Sequence, residues 1–207
     1  MTERIVADSA GIARAARVIL AGGVVAMPTD TFYGLAANPF RADAVARVFE
    51  AKGRQRERAL PLVAADLEQV TARLGELTSS ARALADRFWP GPLTLLLAAP
   101  PALAPDVSGG TGHVGVRVPA HEVARALCRA CGVPLTATSA NISGDPASAD
   151  PDIIARTLGD RIELLLDAGP APGGLASTIV DATGETPRLV RAGAVSWNEV
   201  LACLDRA

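Results

Sequence analysis

Two short stretches, far apart in the chain, carry residues that could hold an anion. Lys52-Gly53-Arg54 opens a basic run that continues through Arg56 and Arg58. Thr138-Ser139-Ala140-Asn141 leads into Ile142-Ser143-Gly144. The first offers fixed positive charge. The second offers small hydroxyls, an amide and a flexible backbone. Guanidinium forks and short polar donors are what crowded phosphate oxygens need, so the two together suit a triphosphate or a similar anion. Each alone has an ordinary reading, because basic runs are usually solvated and Ser-Ala-Asn-Ile-Ser-Gly is turn composition.

Further polar residues stand at the ends of apolar runs, where α/β sheets place their sites. Thr29-Asp30-Thr31 follows the run Val24 to Met27, and Ser177 precedes Thr178 to Val180. Arg191 ends Arg188 to Arg191, and Arg117 lies inside the apolar Val114 to Val118. An arginine in a buried strand needs an anion or a partner, with Asp167 or Asp181 as candidate pairs and an edge strand open to solvent as the alternative. The chain has only 2 histidines, and neither adjoins an obvious nucleophile. A site rich in Lys, Arg, Ser, Thr and Asn is therefore expected to act electrostatically, holding anions and stabilising phosphoryl charge.

The elements that must position these groups alternate irregularly. Helical patterns are expected from Ile12 to Leu20, from Asp43 as cap to about Lys52, over Leu67 to Arg87 with a break near Gly75 to Ser80, and from His121 to Ala130. Another runs from Asp150-Pro151 to about Leu158, and Ser196 with Glu199 makes a capping box for a last helix to Asp205. Strands are expected at Val24 to Met27, Leu60 to Ala64, Leu93 to Ala98, Val114 to Val118, Pro134 to Thr138, Leu164 to Asp167, Thr178 to Val180 and Arg188 to Arg191. This pattern argues for an α/β fold around a twisted mixed sheet flanked by helices. Neither a Gly-x-Gly-x-x-Gly turn nor a Walker-type Gly-Lys-Ser/Thr is present, so a phosphate site must be built another way.

Composition sets the remaining bounds. A chain of 207 residues can bury a substantial core, and with aromatics at 3% that core must rest on Ala, Val, Leu and Ile. A formal charge of −2 gives no overall bias toward nucleic acid or membrane. There is no apolar run of signal-peptide or membrane-span length, so a soluble cytoplasmic protein is expected. Cys128 and Cys131 form a C-x-x-C pair, but at the end of a helix, where the dipole does not activate a thiolate. Cys203, His113 and His121 lack the spacing to complete a zinc site, so the cysteines read as structural and no protein metal site is expected.

Taken in order, the motifs resemble those of the YrdC/TsaC family, the threonylcarbamoyl-AMP synthases. They are Pro28-Thr29-Asp30-Thr31-Phe32-Tyr33-Gly34-Leu35, Lys52-Gly53-Arg54, Trp89-Pro90-Gly91-Pro92-Leu93-Thr94, Val116-Arg117-Val118-Pro119, Thr138 to Gly144, Ser177-Thr178-Ile179-Val180-Asp181 and Arg191-Ala192-Gly193. The resemblance implies a single YrdC-like domain over residues 1–207, with a concave, positively charged cavity. It implies condensation of L-threonine, bicarbonate and ATP, with magnesium sharing the phosphate charge. The product would serve tRNA-modification proteins that act beside the anticodon. It places threonine near Thr31, Arg117, Ser139 and Ser177, and ATP near Lys52, Arg54, Arg58, Asn141 and Arg191, with Lys52 and Arg54 carrying the catalytic charge. The chain departs from the common pattern at Val63, Ala176 and Ala192. The rival readings are a related carbamoyl-adenylate-forming enzyme and a module that binds tRNA or double-stranded RNA.

Overall fold

The computed structural model describes residues 2–53, 59–184 and 186–205. In chain order the elements are β1 (Glu3–Val6), α1 (Ser9–Leu20), β2 (Val25–Met27), β3 (Gly34–Ala36), α2 (Ala42–Lys52), β4 (Leu62–Val63), α3 (Leu67–Leu74) and α4 (Ser79–Phe88). They continue with β5 (Leu93–Ala98), β6 (His113–Arg117), α5 (Glu122–Cys131), β7 (Leu135–Thr136), β8 (Thr138–Ser139), α6 (Pro151–Leu158), β9 (Leu164–Asp167), β10 (Thr178–Asp181), β11 (Arg188–Arg191) and α7 (Trp197–Leu204).

The strands divide between two mixed sheets, of order β1-β9-β2-β3-β8 and β11-β10-β5-β6-β4-β7. The switch between them explains why the expected strand Pro134 to Thr138 is two. Thr136 pairs with Leu62 in the second sheet, while Thr138 pairs with Leu35 in the first. Only Ala137 separates them. Thr136 holds the junction: its hydroxyl donates to the Leu35 carbonyl at 3.0 Å and accepts from the Ala37 N–H at 2.9 Å. A fully buried hydroxyl must be paired in this way, because leaving it unmet costs about 1–3 kcal/mol.

Helix ends follow their capping residues. Asp8 accepts from Gly11 N–H at 2.8 Å and starts α1. Asp43 does not cap α2 as expected. Arg41 holds the cap position, and Asp43 in the first turn pairs with it at 2.6 Å. The capping box of Ser196 and Glu199 is formed in full. Gly53 ends α2 with a left-handed φ of 60°, a conformation that glycine adopts without Cβ strain.

The core is aliphatic. Among the described residues, Tyr33 and Phe49 are the only aromatics of the largest fully buried side chains, which are otherwise Leu, Ile and Met. Cys128 and Cys131 lie on the buried side of α5 and pack with α1, β2 and β9. Burial holds both thiols well above the usual range, that of Cys131 at about 12, which suits packing and opposes thiolate chemistry.

Candidate active site

A cavity of about 320 Å³ opens where the two sheets meet. Thr31, Arg117, Ser139, Ser177 and Arg191 all line it, although they come from five separate segments. Each arrives by a simple route. Thr31 sits in the turn after β2, Arg117 ends β6, Ser139 ends β8, Ser177 immediately precedes β10, and Arg191 ends β11. Strand ends and their turns leave side chains and backbone unclaimed by the sheet, which is why sites collect there.

Hydrogen bonds fix several of these groups. Arg191 Nη2 donates to the Ser177 carbonyl at 2.7 Å and approaches its Oγ at 3.3 Å. Thr94 Oγ1, also on the cavity, meets Ser177 Oγ at 2.8 Å. Thr29 Oγ1 donates to the Phe32 carbonyl at 2.7 Å and accepts from Thr31 N–H at 3.2 Å, which locks the turn after β2. The Tyr33 hydroxyl donates to the Gly169 carbonyl at 2.7 Å, and burial pushes its pKa up to about 12. It stays protonated and neutral at pH 7.

Arg117 is not paired with Asp167 or Asp181, the two partners considered from sequence. Its Nη1 donates to Asp30, within the turn that carries Thr31. Asp167 instead meets Arg4 at 2.8 Å, and Asp181 takes Thr183 and the exposed Arg188. Asp30 stands in the motif Pro28 to Leu35 and in a polar turn next to an apolar run, but neither gives it a role, and sequence cannot show which distant arginine it faces. Thr94 likewise closes the motif Trp89 to Thr94 and lies inside Leu93 to Ala98, with no role assigned to it there.

Lys52 and Asn141 do not line the cavity but hydrogen-bond to Ser139, which does. Lys52 is 3% exposed, and its Nζ donates to the Asn141 carbonyl at 3.0 Å, to Asn141 Oδ1 at 2.9 Å and to the Ser139 carbonyl. The two stretches picked out by their chemistry thus meet in space. Arg54 and Arg58 lie outside the described residues.

Among the described residues no three His, Cys, Asp or Glu side chains come together as a metal-holding group. Asp30, the carboxylate beside the cavity, is already engaged by Arg117. Among the described residues no helix is long and apolar enough to cross a membrane.

Comparison with known proteins identifies the family. Threonylcarbamoyl-AMP synthase of Bacillus subtilis is 38% identical over 205 residues, which are 99% of this chain and 59% of that protein. The Marinobacter nauticus protein of the same name is 38% identical over 171 residues, 82% of this chain and 90% of its own length. Pyrococcus abyssi Sua5 in complex with L-threonine superposes with a TM-score of 0.90 at 37% identity, covering 99% of this chain and 61% of that one. This chain therefore spans about three fifths of the Bacillus and Pyrococcus proteins it matches. The Sua5/YciO/YrdC family model, which carries the description "telomere recombination", matches residues 17–193. That span contains every cavity side chain discussed above, and the chain belongs to the Sua5/YciO/YrdC family.

Proposed function

We propose that residues 1–207 act as one unit, a cytoplasmic L-threonylcarbamoyladenylate synthase. The observation that carries this reading is the convergence of Thr31, Arg117, Ser139, Ser177 and Arg191 on one cavity. The threonine amine and bicarbonate give a carbamate and water. A carbamate oxygen then attacks the α-phosphorus of ATP, a P–O bond forms, and the bond to the β-phosphate oxygen breaks to release pyrophosphate. The nucleophile is already an anion, so the step needs positioning and charge stabilisation more than a protein base.

In this reading Arg117 takes the carboxylate of threonine, and the hydroxyls of Thr31, Ser139 and Ser177 orient its remaining polar groups. Arg191 on the cavity serves ATP, together with Asn141, Lys52, Arg54 and Arg58. Magnesium enters on the triphosphate as part of the substrate, because its preferred oxygen ligands are there. The adenylate passes to tRNA-modification proteins.

Incubation with ATP, bicarbonate and labelled threonine tests the reading. The expected result is labelled adenylate, with pyrophosphate release that requires both threonine and bicarbonate. Serine is expected to be poorer by roughly 1 kcal/mol, the worth of one methyl group in a fitted pocket. Equal pyrophosphate release without any amino acid overturns it. Direct binding of tRNA or double-stranded RNA is the second reading, favoured by the exposed basic strand Arg188–Arg191. It requires a steep salt dependence of RNA binding without ATP turnover.

A further inference from the structure

We propose that Asp30 is the positioning residue for Arg117 and sets which kind of anion that arginine accepts. The proposal rests on the threonine reading above. Arg117 and Asp30 form an ion pair whose side chains are 10% and 11% exposed. The second carboxylate oxygen of Asp30 accepts from Ala120 N–H at 3.1 Å. Asp30 belongs to the turn after β2 in one sheet, while Arg117 and Ala120 belong to the end of β6 and its continuation in the other. One carboxylate therefore joins the two sheets beside the cavity. The Thr29 hydroxyl bridges Phe32 and Thr31 across the turn that carries Asp30.

Arg117 lines the cavity, whereas Asp30 does not. The remaining guanidinium N–H groups of Arg117 find no acceptor among the described residues, and none is sealed from solvent. They are the half of the fork left for a ligand. Holding one side of a planar fork fixes the plane of the other side, which is what two-point recognition of a carboxylate needs.

The charge follows the same logic. Arg117 with Asp30 is a neutral pair, so a ligand with a single carboxylate meets directed N–H groups without a surplus cation. Removing one partner of a buried pair leaves an uncompensated charge, which any anion relieves. A lone Arg117 would favour phosphate or pyrophosphate, which carry more negative charge than a single carboxylate. Loss of Asp30 should therefore weaken threonine use and strengthen phosphate binding, two effects of opposite sign. Local unfolding would weaken both.

The test uses Asp30→Asn and Asp30→Glu in the full chain, with thermal melting to show that each is folded. In Asp30→Asn the KM for threonine is expected to rise by about tenfold or more with kcat changed only a few-fold, the signature of lost substrate binding. Inhibition by inorganic phosphate is expected to strengthen. Asp30→Glu keeps the charge but misplaces it, so KM should rise while phosphate inhibition stays as in the wild type. A folded Asp30→Asn with wild-type KM, or with weaker phosphate inhibition, overturns the proposal. If Asp30→Asn does not fold, Asp30→Glu decides alone, and a wild-type KM overturns it. If the wild type itself shows no threonine-dependent pyrophosphate release, the functional reading fails. Calorimetric phosphate binding to wild type and Asp30→Asn then still decides the role of Asp30, with unchanged affinity as the refuting result.

Discussion

Lys52 and Asn141 are tied twice through one ammonium, which donates to the Asn141 Oδ1 at 2.9 Å and to its carbonyl at 3.0 Å. The main chain completes the tie, because Ser143 N–H donates to the Lys52 carbonyl at 2.8 Å. The C-terminal end of α2 thus holds the turn after β8, and a cation there also suits the negative end of the helix dipole. Lys52→Ala should raise the KM for ATP and also loosen Ser139, since it removes charge-assisted bonds worth about 1.5–3 kcal/mol. Asn141→Ala should act on the same unit. In a double-mutant cycle read by pyrophosphate release, the combined loss is expected to be smaller than the sum. Strict additivity would mean that the two residues serve ATP independently.

Gly193 carries a second prediction. A Cβ on it would lie 2.3 Å from the Ala176 oxygen, 2.5 Å from the Ser177 carbonyl carbon and 2.5 Å from the Thr178 nitrogen. All three are backbone atoms, so no side chain can move aside. Gly193→Ala must displace the segment that presents Ser177 to Thr94 and Arg191. It should lower threonine-dependent turnover by about tenfold or more and cost about 1–3 kcal/mol of stability. Gly184→Ala meets no atom within 4 Å and is the matched control. Wild-type turnover in Gly193→Ala would show that Ser177 does not need its observed position.

The same residues show where sequence reading reaches and where it stops. Asp150 before Pro151, and Ser196 with Glu199, are local rules, and both formed as expected. Leu93–Ala98 has the length and apolar character that mark a strand. β1 and β3 were not foreseen. Glu3–Val6 is a largely exposed edge strand without a clear apolar side, and Gly34–Ala36 is three residues of low strand propensity. Their strand form is imposed by their neighbours. The break at Ala137 is also tertiary, since it exists only because two sheets compete for one run. Among cavity residues, Arg117 was legible as a cation inside an apolar run and Ser139 as a hydroxyl following one. The pairing of Arg117 with Asp30 was not, because it spans 87 positions and depends on how the sheets meet.

The two helix-end cysteines should prove dispensable for chemistry. Burial raises both thiols, with Cys131 at about 12, so neither supplies a thiolate at neutral pH. Cys128→Ala with Cys131→Ala is expected to leave threonine-dependent pyrophosphate release within a few-fold of wild type. The cost should appear in denaturant melts, at about 1–3 kcal/mol for two small buried side chains. A folded double variant as impaired as Lys52→Ala would reverse this assignment.

His121 gives the chain an acid-sensitive point. It occupies the cap position of α5 without making a capping bond, and its Nδ1 is buried with no partner among the described residues. Burial holds its pKa below the ordinary 6.5, against the opposing pull of Asp30 and Glu122. The sign follows directly. A folded pKa below the unfolded one means that the unfolded chain binds the proton more readily, so stability from this group is present above pH 6.5 and is lost as pH falls through the window below it. Asp43, Asp181 and Glu199 are also depressed, but from ordinary values of 3.8 to 4.5, so their losses begin at lower pH. Denaturant melts at about pH 7.5 and about pH 5 isolate the histidine. His121→Asn removes the titration and supplies a good cap for α5. It should lose less stability than wild type between the two pH values. Equal losses would mean that the imidazole takes up its proton in the folded chain as easily as in the unfolded one.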